Sequence, residues 1–139
     1  MKIFLDANVL VSVLNEEYPV YQHSSRILSL AGGPRFKLYT SPLALAIAFY
    51  FAEKKKKGTA RNKINALSEH MEITNMHRET ILETCKNKRI HDFEDGLQYY
   101  SALESGCKII ITEDSDDFYF SDIEVINSRG FMEKYLFKL

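Results

Sequence analysis

Ile3-Phe4-Leu5-Asp6 is the stretch on which the fold turns: three apolar residues with no polar break, closed by a carboxylate. A strand with one wet face alternates polar and apolar side chains. A continuous apolar run marks a strand covered on both faces, as in parallel sheets. Immediately beyond Asp6, Val9, Leu10, Val13 and Leu14 recur at helical spacing, and Pro19 closes that helix. Residues 21–30 repeat the helical pattern until Gly32-Gly33-Pro34 breaks it, and residues 36–40 alternate as a strand. Ser41-Pro42 starts a helix, with serine as cap and proline in the first turn. That helix, residues 43–55, is apolar nearly all round. It runs into Lys54-Lys55-Lys56-Lys57-Gly58, a stop signal.

Further along, residues 59–70 predict a helix, 71–74 a short strand and 78–86 another helix. Asp92-Phe93-Glu94-Asp95 opens an amphipathic helix that runs to Glu104 and is capped by Gly106. Lys108-Ile109-Ile110-Ile111-Thr112 is the clearest strand in the chain. Residues 124–126 form a last short strand and 131–139 a terminal helix. Strands alternating with helices throughout predict an α/β fold, a parallel sheet covered on both faces. At 139 residues, without repeat or linker, a single domain spanning 1–139 is expected.

Bulk chemistry narrows the function. With 18 Lys plus Arg against 19 Asp plus Glu, the net charge of −1 argues against a strongly basic nucleic-acid binder. A local basic patch beside an acidic pocket remains compatible with that average. Cys85 and Cys107 lie far apart with no CxxC, so reduced, buried thiols are expected rather than a disulfide framework or zinc knuckle. The opening apolar run is cut by Asp6 and Asn8 before it reaches signal-peptide length, and no stretch is long enough for a membrane span. A cytoplasmic protein without a membrane partner is the expectation.

The acids carry the chemistry. Asp6 follows the first strand, Asp114 and Asp117 follow the 109–111 strand, and Asp95 sits in the first turn of the helix leading into that strand. In open α/β sheets the ligand crevice lies beyond the carboxyl ends of the strands. If the two strands are neighbours, these carboxylates converge. Converging like charges repel and burial raises their cost, and a hard cation with oxygen ligands removes both penalties. No His or Cys stands near them, which selects Mg²⁺ or Mn²⁺. Each acid also has a plainer reading. Asp6 suits an N-cap, Asp92 a cap with Asp95 as its partner three residues on, and Asp114, Asp116 and Asp117 a solvated acidic loop. No GxGxxG, GxxxxGK[ST] or GxSxG element occurs, and the four histidines (23, 70, 77 and 91) form no base-plus-nucleophile arrangement. His91, beside Asp92, reads as a surface histidine.

Three segments then carry a resemblance. Phe4-Leu5-Asp6-Ala7-Asn8-Val9-Leu10, Asp92-Phe93-Glu94-Asp95-Gly96-Leu97-Gln98 with Ala102-Leu103-Glu104-Ser105-Gly106, and Ile110-Ile111-Thr112-Glu113-Asp114-Ser115-Asp116-Asp117-Phe118 resemble, in order, the opening strand, acidic helix and T-x-[DN]-x-x-D-F segment of the PIN domain, the fold of VapC-type toxin ribonucleases. The likeness spans essentially the whole chain. It implies a three-layer α/β/α fold with a short central parallel sheet, and a metal-dependent endoribonuclease, the toxin of a toxin–antitoxin pair. The implied partners are RNA, an antitoxin and a second copy in a homodimer. Asp6, Asp95 and Asp114 match the metal-binding acids, Asp117 a fourth catalytic member, and Asn8 and Thr112 the positions that orient them.

One departure stands out: the family usually carries a Glu in the helix after the second strand, and Ile47 occupies that place, with Glu53 off that face. The alternative it opens is a degenerate domain acting as a binding or scaffold module. No substrate-binding residue is fixed by the sequence. Residues 54–57, Arg61, Lys63 and residues 86–89 are basic candidates for an RNA path, though a plain helix terminus explains such lysines more often. Tyr18, Tyr21, Phe49, Tyr50 and Phe51 suggest a partner groove, with core packing the commoner account of most of them.

Overall fold

Ile3 lies beside Ile109, Phe4 beside Ile110 and Leu5 beside Ile111 in parallel register. This pairing, between segments over a hundred residues apart, organises the molecule. The computed structural model describes residues 1–137. Its elements are β1 (Lys2–Leu5), α1 (Ala7–Leu14), α2 (Tyr21–Leu28), β2 (Lys37–Thr40), α3 (Pro42–Lys55), α4 (Ala60–His70), β3 (Glu72–Ile73), α5 (Arg78–Lys86), α6 (Phe93–Glu104), β4 (Ile109–Ile111), β5 (Glu124–Ile126) and α7 (Ser128–Phe131). The strands form one five-stranded sheet in the order β3-β2-β1-β4-β5, parallel throughout. The chain leaves β1 toward β2 and β3, then returns to the other side of β1 with β4, so the strand order reverses beside β1. That reversal is where a crevice opens in such sheets.

Side chains of a strand alternate between the two faces, and both faces are covered. Ile3, Leu5, Leu38, Ile109 and Ile111 point into a core with Val9, Leu10 and Leu14 of α1, Ile27 of α2, Leu67 of α4 and Phe131 of α7. Phe4 and Ile110 point the other way, onto Tyr99 and Ala102 of α6 together with Phe118 and Phe120. The result is the three-layer α/β/α arrangement expected from the sequence. Among the described residues no helix is long and apolar enough to cross a membrane.

Helix α3 resolves an ambiguity that its composition left open. Its buried line is Ala44, Ala48 and Ala52, spaced four residues apart, so the small residues let α3 approach its neighbours closely. Phe49, Tyr50 and Phe51 are exposed, as is Tyr18, while Tyr21 is half-buried. Core packing therefore does not account for most of these aromatics. Close approach recurs at Gly96 of α6, where an added Cβ would run into the Thr84 methyl of α5 and come within 3.0 Å of Ile90 Cγ2.

The helix starts follow their cap residues: Ser41 Oγ accepts from Ala44 N at 2.9 Å, and Asp92 Oδ1 from Asp95 N at 3.1 Å. Gly106, after α6, sits at φ +83°, the conformation a C-terminal glycine supplies. Three expectations need correction. The terminal helix begins earlier than residue 131, because Asn127 caps it by accepting from Gly130 N at 2.7 Å. It then widens into a π-helical turn over Met132–Leu136, and residues 138–139 lie outside the described part. The acidic segment after β4 is not an open loop but a 3₁₀ turn over Ser115–Phe118 that delivers Phe118 to the core. Of the two thiols only Cys107 is buried, its pKa pushed up to about 12 by burial, while Cys85 is exposed.

Candidate active site

Since β1 and β4 are neighbours, the residues that follow them meet. Asp6 N donates to Ile111 O at 3.0 Å, continuing the ladder by one rung. The Thr112 hydroxyl then donates to Asp6 Oδ2 at 2.8 Å. Asp6 Oδ1 accepts from Ala7 N at 2.7 Å. Both readings of Asp6 hold at once, since it caps α1 with one oxygen and faces β4 with the other. Each oxygen keeps a further lone pair for a ligand.

Asn8, in the first turn of α1, binds the next residues of the β4 loop. Its amide nitrogen donates to Thr112 Oγ1 at 3.0 Å and to Asp114 Oδ2 at 3.2 Å. Its amide oxygen accepts from Glu113 N at 3.1 Å. Asp114 N donates to Thr112 Oγ1 at 3.2 Å. Thr112 thus donates once and accepts twice, the full capacity of a hydroxyl. The Asp6 carboxylate is thus hydrogen-bonded by Thr112 and that of Asp114 by Asn8.

These groups face a cavity of about 490 Å³ that brings together Asp6, Asp114, Asp117 and, from α6, Asp95. All four sequence candidates line it. Asp92, Glu94 and Glu17 line it too, and the sequence reading had not placed them there. Glu94 was findable as Asp95's neighbour in the first turn of α6, whereas nothing local marks Glu17. Asn8 also lines it, and the apolar part of the wall is Ala7, Val11, Ile47 and Phe51. Ile47, which the resemblance aligns with the family's usual Glu, lines the cavity, and Glu53 does not. His91 does not line it either; its ring lies 5.7 Å from that of Tyr119, the surface role expected.

The electrostatics are those of crowded, undercompensated acids. Burial raises the pKa of Asp6, the bonds from Thr112 and Ala7 pull it back, and the charges of Asp114 and Glu94 raise it again. Asp95 is pushed up to about 7, first by burial and then by Asp92, Asp6, Asp117 and Glu94. Among the described residues, none of the ion pairs involves any of these carboxylates. An all-oxygen donor set with uncompensated negative charge suits a hard divalent cation. Among the described residues, however, no three acidic, His or Cys side chains stand close enough to grip one ion as placed. The donors ring the cavity, so side-chain rotation would have to bring them onto a common ion.

Some basic candidates have structural work instead. Lys55 Nζ donates to Asn15 O at 2.6 Å and Lys63 Nζ to Leu14 O at 3.1 Å. Both ammonium groups satisfy carbonyls at the C-terminus of α1, where the helix dipole favours positive charge.

Comparison with known proteins bears on the family and the fold. The sequence model described as "PIN domain" matches residues 2–116. The chain is 29% identical over 138 residues to Ribonuclease VapC1 of Aquifex aeolicus, covering 96% of this chain and 95% of that protein. Among solved structures it resembles VapBC-1 of nontypeable Haemophilus influenzae, with TM-score 0.70, 17% identity and coverage of 93% and 99%. It also resembles VapBC2 of Rickettsia felis bound to a promoter DNA fragment, with TM-score 0.69, 18% identity and coverage of 91% and 98%. These likenesses show that the fold is shared.

Proposed function

This chain belongs to the PIN domain family, and from that premise we propose that it is a metal-dependent endoribonuclease, the toxin of a toxin–antitoxin pair. The observation that carries the proposal is the cavity at the β1–β4 switch, where Asp6, Asp95, Asp114 and Asp117 arrive from distant segments with no basic side chain pairing with them among the described residues. A relative named a ribonuclease, matched along nearly its full length, supports RNA as the substrate.

In this reading Asp6, Asp95 and Asp114 hold Mg²⁺ or Mn²⁺. Bound there, the ion would lower the pKa of a coordinated water and offset charge developing on the phosphate. The chain's own part is orientation. Thr112 aims Asp6, Asn8 aims Asp114, and Asp95 must release its proton near neutral pH before it can contribute charge. Asp117, on the same wall, would position a water or a second ion. The VapBC complexes among the structural relatives support an antitoxin partner. A homodimer is proposed with it, and light scattering that finds only monomer at high concentration removes that part.

RNA cleavage in Mg²⁺ or Mn²⁺ tests the reading: Asp6→Asn and Asp95→Asn should lose cleavage, and variants that cut as well as wild type would place the centre elsewhere. The second reading, a binding module that no longer cuts, is favoured by Ile47 inside the cavity. Calorimetric titration with Mn²⁺ separates them, because a cavity that takes no ion leaves only the binding role.

A further inference from the structure

On the ribonuclease reading, we propose that the stripe Ile47–Tyr50–Phe51–Lys54 of α3 is a stacking platform for an unpaired nucleobase beside the scissile phosphate. These positions are i, i+3, i+4 and i+7, one line along a helix. The line begins inside the acidic cavity, which Ile47 and Phe51 both line, and runs outward to exposed Lys54.

Burial does not explain the aromatics. Phe51 is 44% exposed and Tyr50 59%, while α3 buries its alanine line instead. Their rings meet edge to face at 5.2 Å between centroids, and Lys54 Nζ lies 6.0 Å from the Tyr50 ring. Cation, tyrosine, phenylalanine and carboxylates therefore follow one another along a single surface path. The platform is also anchored: Asn15 donates to the Phe51 carbonyl at 3.4 Å, and Lys55 holds Asn15 in turn.

An acidic cavity repels the phosphates of a nucleic acid, so the flanking surface has to supply the attraction. Aromatic faces interleaved with a cation do this for single strands, because every base offers a π face. A duplex keeps its bases stacked on each other and presents no free face to Phe51. The replacement of an acid by Ile47 then has a use: it extends the apolar surface to the edge of the carboxylates.

The chain contains no tryptophan, so Phe51→Trp installs a single reporter at the platform. In an Asp95→Asn background, which prevents cleavage, a short single-stranded oligoribonucleotide of mixed sequence should quench that fluorescence, while the same sequence as a duplex should not. With Asp95 restored, Phe51→Ala should raise KM about tenfold, within the range of one lost stack, and leave kcat nearly unchanged. Phe51→Tyr should restore KM. Fluorescence that does not respond while anisotropy shows the oligonucleotide bound overturns the platform, and equal quenching by duplex overturns the requirement for an unpaired base. An unchanged KM for Phe51→Ala, with only the oligomeric state altered, makes the face a protein contact and equally overturns the proposal. Wild-type protein that cuts no RNA defeats the parent reading alone, since the binding titration needs no cleavage.

Discussion

The Thr112 hydroxyl donates to Asp6 Oδ2 across 2.8 Å, joining residues separated by 106 positions in the chain. Thr112 Oγ1 in turn accepts from Asn8 and from Asp114 N, so one buried atom ties Asp6 to the loop that carries Asp114.

Thr112→Val keeps the shape and removes that atom. The Asn8 amide and Asp114 N lose an acceptor, and Asp6 loses the bond that offsets part of its desolvation. The fold should lose about 1–3 kcal/mol, the usual cost of orphaning buried polar groups. Cleavage should drop roughly 10- to 100-fold, as for other groups that orient metal ligands. Urea unfolding and initial rates check both; a variant that keeps full rate would show that the bond only supports the fold.

Stability should depend on pH through Asp95. Its folded pKa, about 7, lies above the ordinary 3.8. The folded state therefore holds a proton that the unfolded chain releases, and stability falls as pH rises between about 4 and 7 before levelling off. Burial shifts Asp6 in the same direction. With a chelator present, the wild-type melting temperature should decline across that window more than that of Asp95→Asn. Parallel curves for the two proteins would remove Asp95 as the source.

Divalent metal should reverse that trend. Carboxylates must be ionised to bind it, so the rise in melting temperature on adding Mn²⁺ should grow from pH 5 to pH 8. At a concentration a hundred times Kd the gain is about 2.7 kcal/mol. A rise that is the same at both ends of the range would mean that the ion binds away from the raised-pKa acids.

Ile47→Glu places a carboxylate in the cavity wall. Without metal it adds repulsion and should lower the melting temperature. With metal it should tighten binding by about tenfold, or 1.4 kcal/mol. Calorimetry on Ile47→Glu, with Ile47→Gln as the neutral control, reads this directly, and equal affinities in the two variants would deny the position a role in metal binding.

Gly96→Ala tests how Asp95 is carried. The new methyl would collide with Thr84 and crowd Ile90, pushing α6 from α5 at the residue after Asp95. Overpacking of this kind costs about 1–3 kcal/mol, and cleavage should fall with it. A chemical-denaturation midpoint equal to that of wild type would mean the contact gives way without strain.

Much of this was legible in the residues. Ile3-Phe4-Leu5 and Ile109-Ile110-Ile111 read as strands because unbroken apolar runs need cover on both faces, and the acids at their ends followed. Helix α3 was less readable: apolar nearly all round, its sequence gives no preference between an alanine line and an aromatic one, and only packing decides. The bonds of Lys55 and Lys63 to carbonyls at the end of α1 were not readable, because those carbonyls leave no mark near the lysines in sequence. Glu17 reaches the cavity by tertiary placement alone. The start of α7 was hidden by Gly130, which reads as a breaker yet sits in the first turn under the Asn127 cap.

The strand order has a consequence for how the protein comes into being. Asp6 is translated over a hundred residues ahead of Thr112, Asp114 and Asp117, and β4 is the strand that seats them beside β1. Any truncated product ending before β4 carries isolated carboxylates with nothing to aim them. The carboxylate cluster is therefore complete only once β4 and the turn after it have been made, and a message interrupted before them yields a fragment without it.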